Sequence, residues 1–165
     1  VKMVDPQGAP ERRPPDVMVV LVQTEVAERL SAGPGSKTRS LAGVWAQLDY
    51  DVSPVRKVAA SCFWPRPEIG STVVRLVRHH RNDAVPCVVR EAFHRMTKLA
   101  FEHRRKQLGA IFKTHGLPAE ALSLPVARAG GKSAIELSSA RPEELSNEEW
   151  LAFARAVSKH HLPNT

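Results

Sequence analysis

Cysteine is nearly missing from this sequence, with Cys62 and Cys87 alone among 165 residues. Two thiols outside any Cys-x-x-Cys pair make neither a disulfide framework nor a zinc site. They are expected to be small, buried or half-buried side chains in a reducing, cytoplasmic setting. Long apolar runs are missing too. Nothing approaches the ~18 residues that a membrane span needs. Residues 1–16 (VKMVDPQGAPERRPPD) are polar, hold four prolines and read as a surface connection, not as a signal peptide. No membrane partner is expected. Acidic residues are scarce against basic ones, 17 to 24, leaving a net charge of +7, and this balance favours a polyanionic partner such as nucleic acid.

The usual catalytic signatures are absent as well. The seven histidines (79, 80, 94, 103, 115, 160, 161) form no HxxxH or HExxH pair, and no cysteine joins them at zinc spacing. No metal is therefore expected. No serine elbow, Walker loop or GxGxxG occurs. The segment GPGSK at 33–37 lacks the spacing and the preceding strand of a phosphate loop, so it reads as a helix-ending turn.

What is present is an ordered succession of elements. Val17 to Gln23 (VMVVLVQ) is a continuous, β-branched apolar run, the pattern of a strand covered on both faces as in a parallel sheet. TEVAERLSA follows as a helix, ended by Gly33-Pro34-Gly35. Ser40 to Leu48 reads as a second helix, with Leu41, Val44, Trp45 and Leu48 on one stripe. Tyr50 to Ala60 and Ser71 to Arg78 read as strands. Their ten-residue link is too short for a parallel crossover, so they are expected to be antiparallel neighbours.

Beyond Arg78 the character changes to helical. Pro86 can open a helix that carries Val89, Phe93, Met96 and Ala100 on one face. Another helix is expected from about Arg104 to Lys113, stopped by Gly116-Leu117-Pro118. Residues 123–140 show little pattern. Ser146 and Glu149 make a capping box, with Leu145 able to staple onto Trp150.

Two basic segments could meet phosphates. Arg90 to Lys106 includes the run Arg104-Arg105-Lys106 at a helix–helix corner, and Arg75 to Arg81 includes Arg78 and Arg81 at the link between lobes. Such cations give salt-sensitive affinity with little base information. Between the two strands lies FWPRPEIGSTVVRL, residues 63–76. Pro65 and Pro67 fix φ and stiffen the loop, which can hold Phe63 or Trp64 at the sheet edge for stacking on an unpaired base. Plain hydrophobic packing of the loop is the competing reading.

These residues resemble a known family, the ribosomal RNA adenine N6,N6-dimethyltransferases, which include the kasugamycin-sensitivity enzyme and the macrolide-resistance methylases. Phe63, Pro65, Pro67, Ile69 and Ser71 match its FxPxPxVxS motif. VLVQTEVAERL (20–30), AFEHRRKQL (100–108) and ARPEELSNEEW (140–150) are similar to three further family motifs in the same order, and the last two point to the small-subunit rRNA branch. Arg39, Ser40 and Leu41 depart from the family's Tyr-Gly-Arg, Glu68 stands for a usual lysine, and Gln107 for a frequent threonine.

The resemblance implies an α/β fold, the C-terminal half of a Rossmann-like methyltransferase sheet ending in an antiparallel hairpin, followed by a small all-α domain. The divisions expected are 1–78 for the sheet part, 79–85 for a linker and 86–165 for a helical rRNA-binding domain. It also implies S-adenosyl-L-methionine as methyl donor, small-subunit rRNA or a pre-ribosomal subunit as partner, and a monomeric full-length protein. Phe63 is the expected stacking residue for a flipped-out adenine. Gln23 and Glu25 are expected in a supporting role at the end of the first strand. Arg78, Arg81, Arg104, Arg105 and Lys106 are the expected rRNA contacts. The family's glycine-rich cofactor loop and catalytic loop precede the segment beginning at Val17 and have no counterpart here. The chain, opening without methionine, is thus expected to be a fragment that binds no cofactor and is inactive alone. A non-enzymatic RNA-binding or ribosome-assembly module is the alternative.

Overall fold

A computed structural model describes residues 14–116 and 137–158. In chain order its elements are β1 (Val17–Gln23), α1 (Thr24–Ser31), α2 (Leu41–Asp49), β2 (Tyr50–Val58), β3 (Ser71–Arg78), α3 (Cys87–Glu102), α4 (Leu108–Thr114) and α5 (Asn147–Val157), with short 3-10 turns at Ala60–Cys62 and Pro142–Glu144. The expected surface connection at 1–13, the Leu117-Pro118 part of the α4 stop and residues 123–136 lie outside the described residues.

The three strands form one sheet in the order β1-β3-β2, so β3 slots between the other two instead of ending the sheet. Both pairings are antiparallel: Gln23 faces Ser71 and Val17 faces Val77, while Val58 faces Ser71 and Tyr50 faces Arg78. The antiparallel relation of β2 and β3 is as the short link demanded. The expectation of a strand covered on both faces is corrected for β1. Its residues alternate between exposed and half-buried, with Val17, Val19 and Leu21 49–64% exposed on the outer face. A continuous apolar run says that both faces tolerate burial; whether anything lies over them depends on the rest of the fold. The two edges also differ. β2 carries Pro54, a bulge between Pro54 and Arg56, and two cations, which blunt it against further pairing, whereas β1 has no such guard.

The inner face of the sheet packs on α1 and α2 through Ala27, Val74 and Leu76, bordered by Met18, Val20, Val22 and Ala46. Gly43 permits the close crossing of the two helices: a Cβ there would sit 2.4 Å from the Arg29 carbonyl oxygen. Ser40 caps α2 by accepting from the Gly43 N–H at 3.2 Å, worth ~1 kcal/mol.

The larger core belongs to the helices. Val89, Phe93, Met96 and Ala100 of α3, the stripe expected from their spacing, are all buried there with Leu108, Phe112, Leu145, Trp150 and Phe153. Phe112 and Phe153 meet edge to face at 5.2 Å, a geometry adding ~0.5–1.5 kcal/mol beyond area burial. The capping box forms as read: Ser146 Oγ accepts from the Glu149 N–H, and the Glu149 carboxylate accepts from the Ser146 N–H.

Val44 and Leu48 of α2 join this same core, so α2 serves both lobes. Polar links reinforce the seam. Trp45 Nε1 donates to Thr97 Oγ1 at 2.9 Å, and Asn147 Nδ2 donates to the Val44 carbonyl at 2.9 Å. Arg90 forks onto Asp49 at 3.0 and 2.9 Å.

Several boundaries shift. β2 ends at Val58, not Ala60, because a 3-10 turn takes over at Ala60. The fourth helix starts at Leu108, and residues 103–106 form a turn instead of its first residues. Leu108 N–H and Gly109 N–H bond to the carbonyls of Ala140 and Ser138, which satisfies helix-opening donors and sets that start. Both cysteines are exposed, against the expected burial: Cys62 lies on the β2–β3 loop and Cys87 opens α3.

Candidate nucleic-acid interface

The β2–β3 connection, residues 59–70, closes one end of the sheet. Two bonds from Thr24 tie it to the start of α1, and a third contact of Thr24 reaches β3. Thr24 N–H and Oγ1–H both donate to the Gly70 carbonyl at 3.1 Å, and Oγ1 lies 3.1 Å from Thr72 Oγ1. The Phe63 N–H bonds back to the Ala60 carbonyl at 3.2 Å. These contacts fix the loop at both feet, while Pro65 and Pro67 stiffen its crest.

Phe63 is half-buried on this loop. The ring fully in solvent is that of its neighbour, Trp64, at 97% exposure. Sequence reasoning left the two aromatics as alternatives; in the fold Phe63, directly after the 3-10 turn, is half-buried, and Trp64, the next residue, is bare. Gln23 is exposed at the end of β1 and pairs with Ser71, so it lies at the same end of the sheet. Glu25 is also exposed, in the first turn of α1, where its carboxylate accepts from Arg29.

The predicted phosphate contacts are not all free to act. Arg78 lies at the far end of β3 from Ser71, ~23 Å away at 3.3 Å per residue. Its side chain is largely covered and bonds Asp83 at 2.6 Å. Arg81 bonds Asp51 at 2.6 Å at that same far end. Both carboxyls are held below the usual carboxylate range: Asp51 by the hydrogen bond from Arg81, and Asp83 by hydrogen bonds first from His80 and then from Arg78. Arg104 is half-buried, leans over the Phe101 ring at 5.9 Å and donates to the Lys37 carbonyl at 2.9 Å. It braces the GPGSK turn, whose Gly35 N–H also bonds the Glu143 carbonyl at 2.8 Å. Arg105 and Lys106 remain exposed on the turn after α3.

Reading basic runs along the chain missed the cations that flank the aromatic loop. Arg56 and Lys57, at the end of β2, and Arg66, between the two prolines, are exposed and make no ion pair among the described residues. The signal was available: all three lie within eight residues of Phe63. Isolated as pairs or singles, they did not register as a basic segment.

A concavity of about 310 Å³ lies between α2, the start of β2 and the start of α5, lined by Arg39, Gln47, Asp51, Arg81, Asn147 and Glu148. Arg39 is 1% exposed and donates to the Ala32 carbonyl, Gln47 Oε1 and Asn147 Oδ1 at 3.0, 3.4 and 3.0 Å. Burial lowers its pKa below the usual guanidinium range, opposed by Glu148 and Glu149. The polar groups here are mostly bonded to one another, so the cleft reads as a polar seam.

The junction of β1 and α1 is not a cradle for an adenosyl cofactor. β1 runs directly into α1 with no residue between Gln23 and Thr24, so no glycine-rich strand-to-helix loop exists there to cradle one. No cluster of three or more metal-ligating side chains occurs among the described residues, and no described helix is long and apolar enough to cross a membrane.

Residues 2–144 match the family model described as "Ribosomal RNA adenine dimethylase". The chain is 37% identical over 140 residues to "Ribosomal RNA small subunit methyltransferase A" of Opitutus terrae, covering 84% of this chain and 47% of that protein. It is 36% identical over 145 residues to the protein of the same name from Desulfitobacterium hafniense, covering 87% and 49%. The chain thus spans about half the length of the curated relatives it matches. In fold it is similar to a dimethyladenosine transferase from Plasmodium falciparum, with a TM-score of 0.67 at 22% identity, covering 87% of this chain and 57% of the other. It is also similar to the 23S rRNA methyltransferase ErmE, with a TM-score of 0.54 at 20% identity, covering 86% and 54%.

Proposed function

The chain belongs to the ribosomal RNA adenine dimethylase family, and from that premise we propose that it is the RNA-presenting part of an enzyme that transfers methyl groups to N6 of adenines in small-subunit rRNA. Family members use S-adenosyl-L-methionine, which supplies an electrophilic methyl group; holding it falls to residues beyond those described. The observation that carries the reading is the braced loop at 59–70, with Phe63 half-buried and Trp64 bare at one end of the sheet.

In this reading the sheet of β1–β3 is the C-terminal part of a Rossmann-like domain, and the helices from α3 onward form the rRNA-binding lobe, divided near 79–85. Phe63 stacks on the extruded adenine and holds its exocyclic nitrogen in line for attack. Positioning of this kind accounts for a large share of a transfer rate. The half-buried ring suits the role, since a ring backed by the protein keeps its orientation. Gln23, exposed beside Ser71, can hydrogen-bond the same nucleotide. Glu25, paired with Arg29, acts as a partner of the α1 N-terminus. Arg105 and Lys106 hold phosphates, while Arg104, Arg78 and Arg81 act chiefly within the fold.

A methyl-transfer assay with labelled S-adenosyl-L-methionine and small-subunit rRNA tests the reading. The 165-residue chain should bind the RNA and give no turnover, and a longer protein that carries it should methylate adenines. The alternative is a cofactor-free RNA-binding or assembly module. It would be upheld if the longer protein bound rRNA without transferring methyl groups.

A further inference from the structure

Trp64 is the largest exposed ring among the described residues, at 97% accessibility, and hydrophobic burial cannot explain its place. A bare indole on a loop braced by prolines and by Thr24 costs little ordering entropy when it meets a partner. The charges nearest it in the chain indicate the partner's chemistry. Arg56, Lys57 and Arg66 are exposed and without ion pairs among the described residues, and only Glu68 opposes them on the loop. Lysine is depleted at the centre of protein–protein interfaces, and a single-stranded nucleic acid needs both an aromatic face and unpaired positive charge. Ile69, on the same loop, is also exposed, at 55%.

We infer that Trp64 is a second stacking platform, taking an unpaired base of the RNA strand outside the position assigned to Phe63, with Arg56, Lys57 and Arg66 tracking the phosphates beside it. The inference rests on the RNA reading above and deepens it: the ligand is a single strand, held at two adjacent aromatic steps.

The tryptophans themselves make the test clean. Trp150 is fully buried, and Trp45 is half-buried and bonded to Thr97, so iodide-accessible emission comes chiefly from Trp64, and the Trp64→Ala variant gives the Trp45 background. The 165-residue chain is titrated with a 12-nucleotide oligoadenylate and with a duplex RNA of the same length. The single strand should quench the exposed emission and shield it from iodide, and the duplex should do neither. Trp64→Ala should weaken single-strand affinity about tenfold, and Trp64→Phe should restore most of it, since a phenyl ring still stacks. The combined R56Q, K57Q and R66Q variant should lower the slope of log affinity against log salt by about 2, at ~0.7 per phosphate contact on a single strand. Binding of the oligomer with Trp64 still open to iodide, and with Trp64→Ala at full affinity, overturns the inference while leaving an RNA role through Arg105 and Lys106. No binding of any RNA overturns both readings. Emission that ignores RNA but shifts to the blue as protein concentration rises assigns the ring to a protein contact and overturns the inference.

Discussion

The two ends of the three-stranded sheet use the same residue types for opposite purposes. At the far end Arg78, Arg81 and Arg90 are each matched to a carboxylate, Asp83, Asp51 and Asp49, and these pairs lie beside the seam where α2 joins the helices. At the loop end Arg56, Lys57 and Arg66 stand without ion-pair partners among the described residues, next to two aromatics that the core does not absorb. A cation already satisfied within the fold gives up its partner before it can hold a phosphate; an unsatisfied one exchanges only water and counterions. Charge counted along a sequence cannot separate the two populations.

The sharpest way to break this contrast is at Phe63. Phe63→Ala in a methylating protein that contains this chain should cut transfer about 100-fold, the scale on which a misplaced reacting group is penalised, with rRNA affinity nearly unchanged. Single-turnover kinetics beside a filter-binding isotherm separates the two quantities, and equal losses in both would remove the stacking role.

The next largest effect belongs to the far end. Arg90→Ala removes a two-pronged bond to Asp49 and a bond to the Asn82 carbonyl at 2.6 Å. It should lower unfolding stability by about 2 kcal/mol, measured by urea denaturation, without changing RNA affinity at concentrations where the protein stays folded. Arg66→Ala should do the reverse, leaving stability within about 0.5 kcal/mol and weakening RNA binding.

Acid should break the far-end pairs of Asp51 and Asp83 late, after carboxylates of ordinary pKa have been protonated. Asp51 and Asp83 have folded pKa values below their ordinary one. The stability from these pairs is therefore complete above the ordinary carboxylate value and is lost as pH falls through the lower, folded value. Carboxyl titrations by NMR should place both transitions below the ordinary aspartate value, and an ordinary value for Asp51 in the R81Q variant would confirm the cause. The smallest effect is that of R81Q on stability itself. The pair is exposed on both sides, 61% and 58%, so its loss should barely move the urea midpoint.

Much of the local grammar was legible from residues alone. β3 runs from Ser71 to Arg78 as its pattern suggested, α3 buries its expected stripe, and the Ser146–Glu149 box forms. Each of these depends on neighbours within a few positions in the chain. Several of the misreadings depend on distant ones. The run VMVVLVQ could not reveal that its outer face lies bare, because the covering of a face belongs to other segments. The α4 start is set by carbonyls 30 or so residues away, at Ser138 and Ala140. Arg104 looked like a free cation until its bond to Lys37, 67 positions earlier, was on view. At the loop, the FxPxPxVxS residues marked the place, but only the fold separated a half-buried Phe63 from a bare Trp64.

Ultraviolet crosslinking of small-subunit rRNA to the 165-residue chain, with adducts mapped by peptide mass spectrometry, tests the division between the two ends most directly. Adducts should concentrate on residues 56–66, with Trp64 foremost, and should be absent from 78–90. Adducts confined to the Arg78–Arg90 end, with none on the loop, would contradict the account.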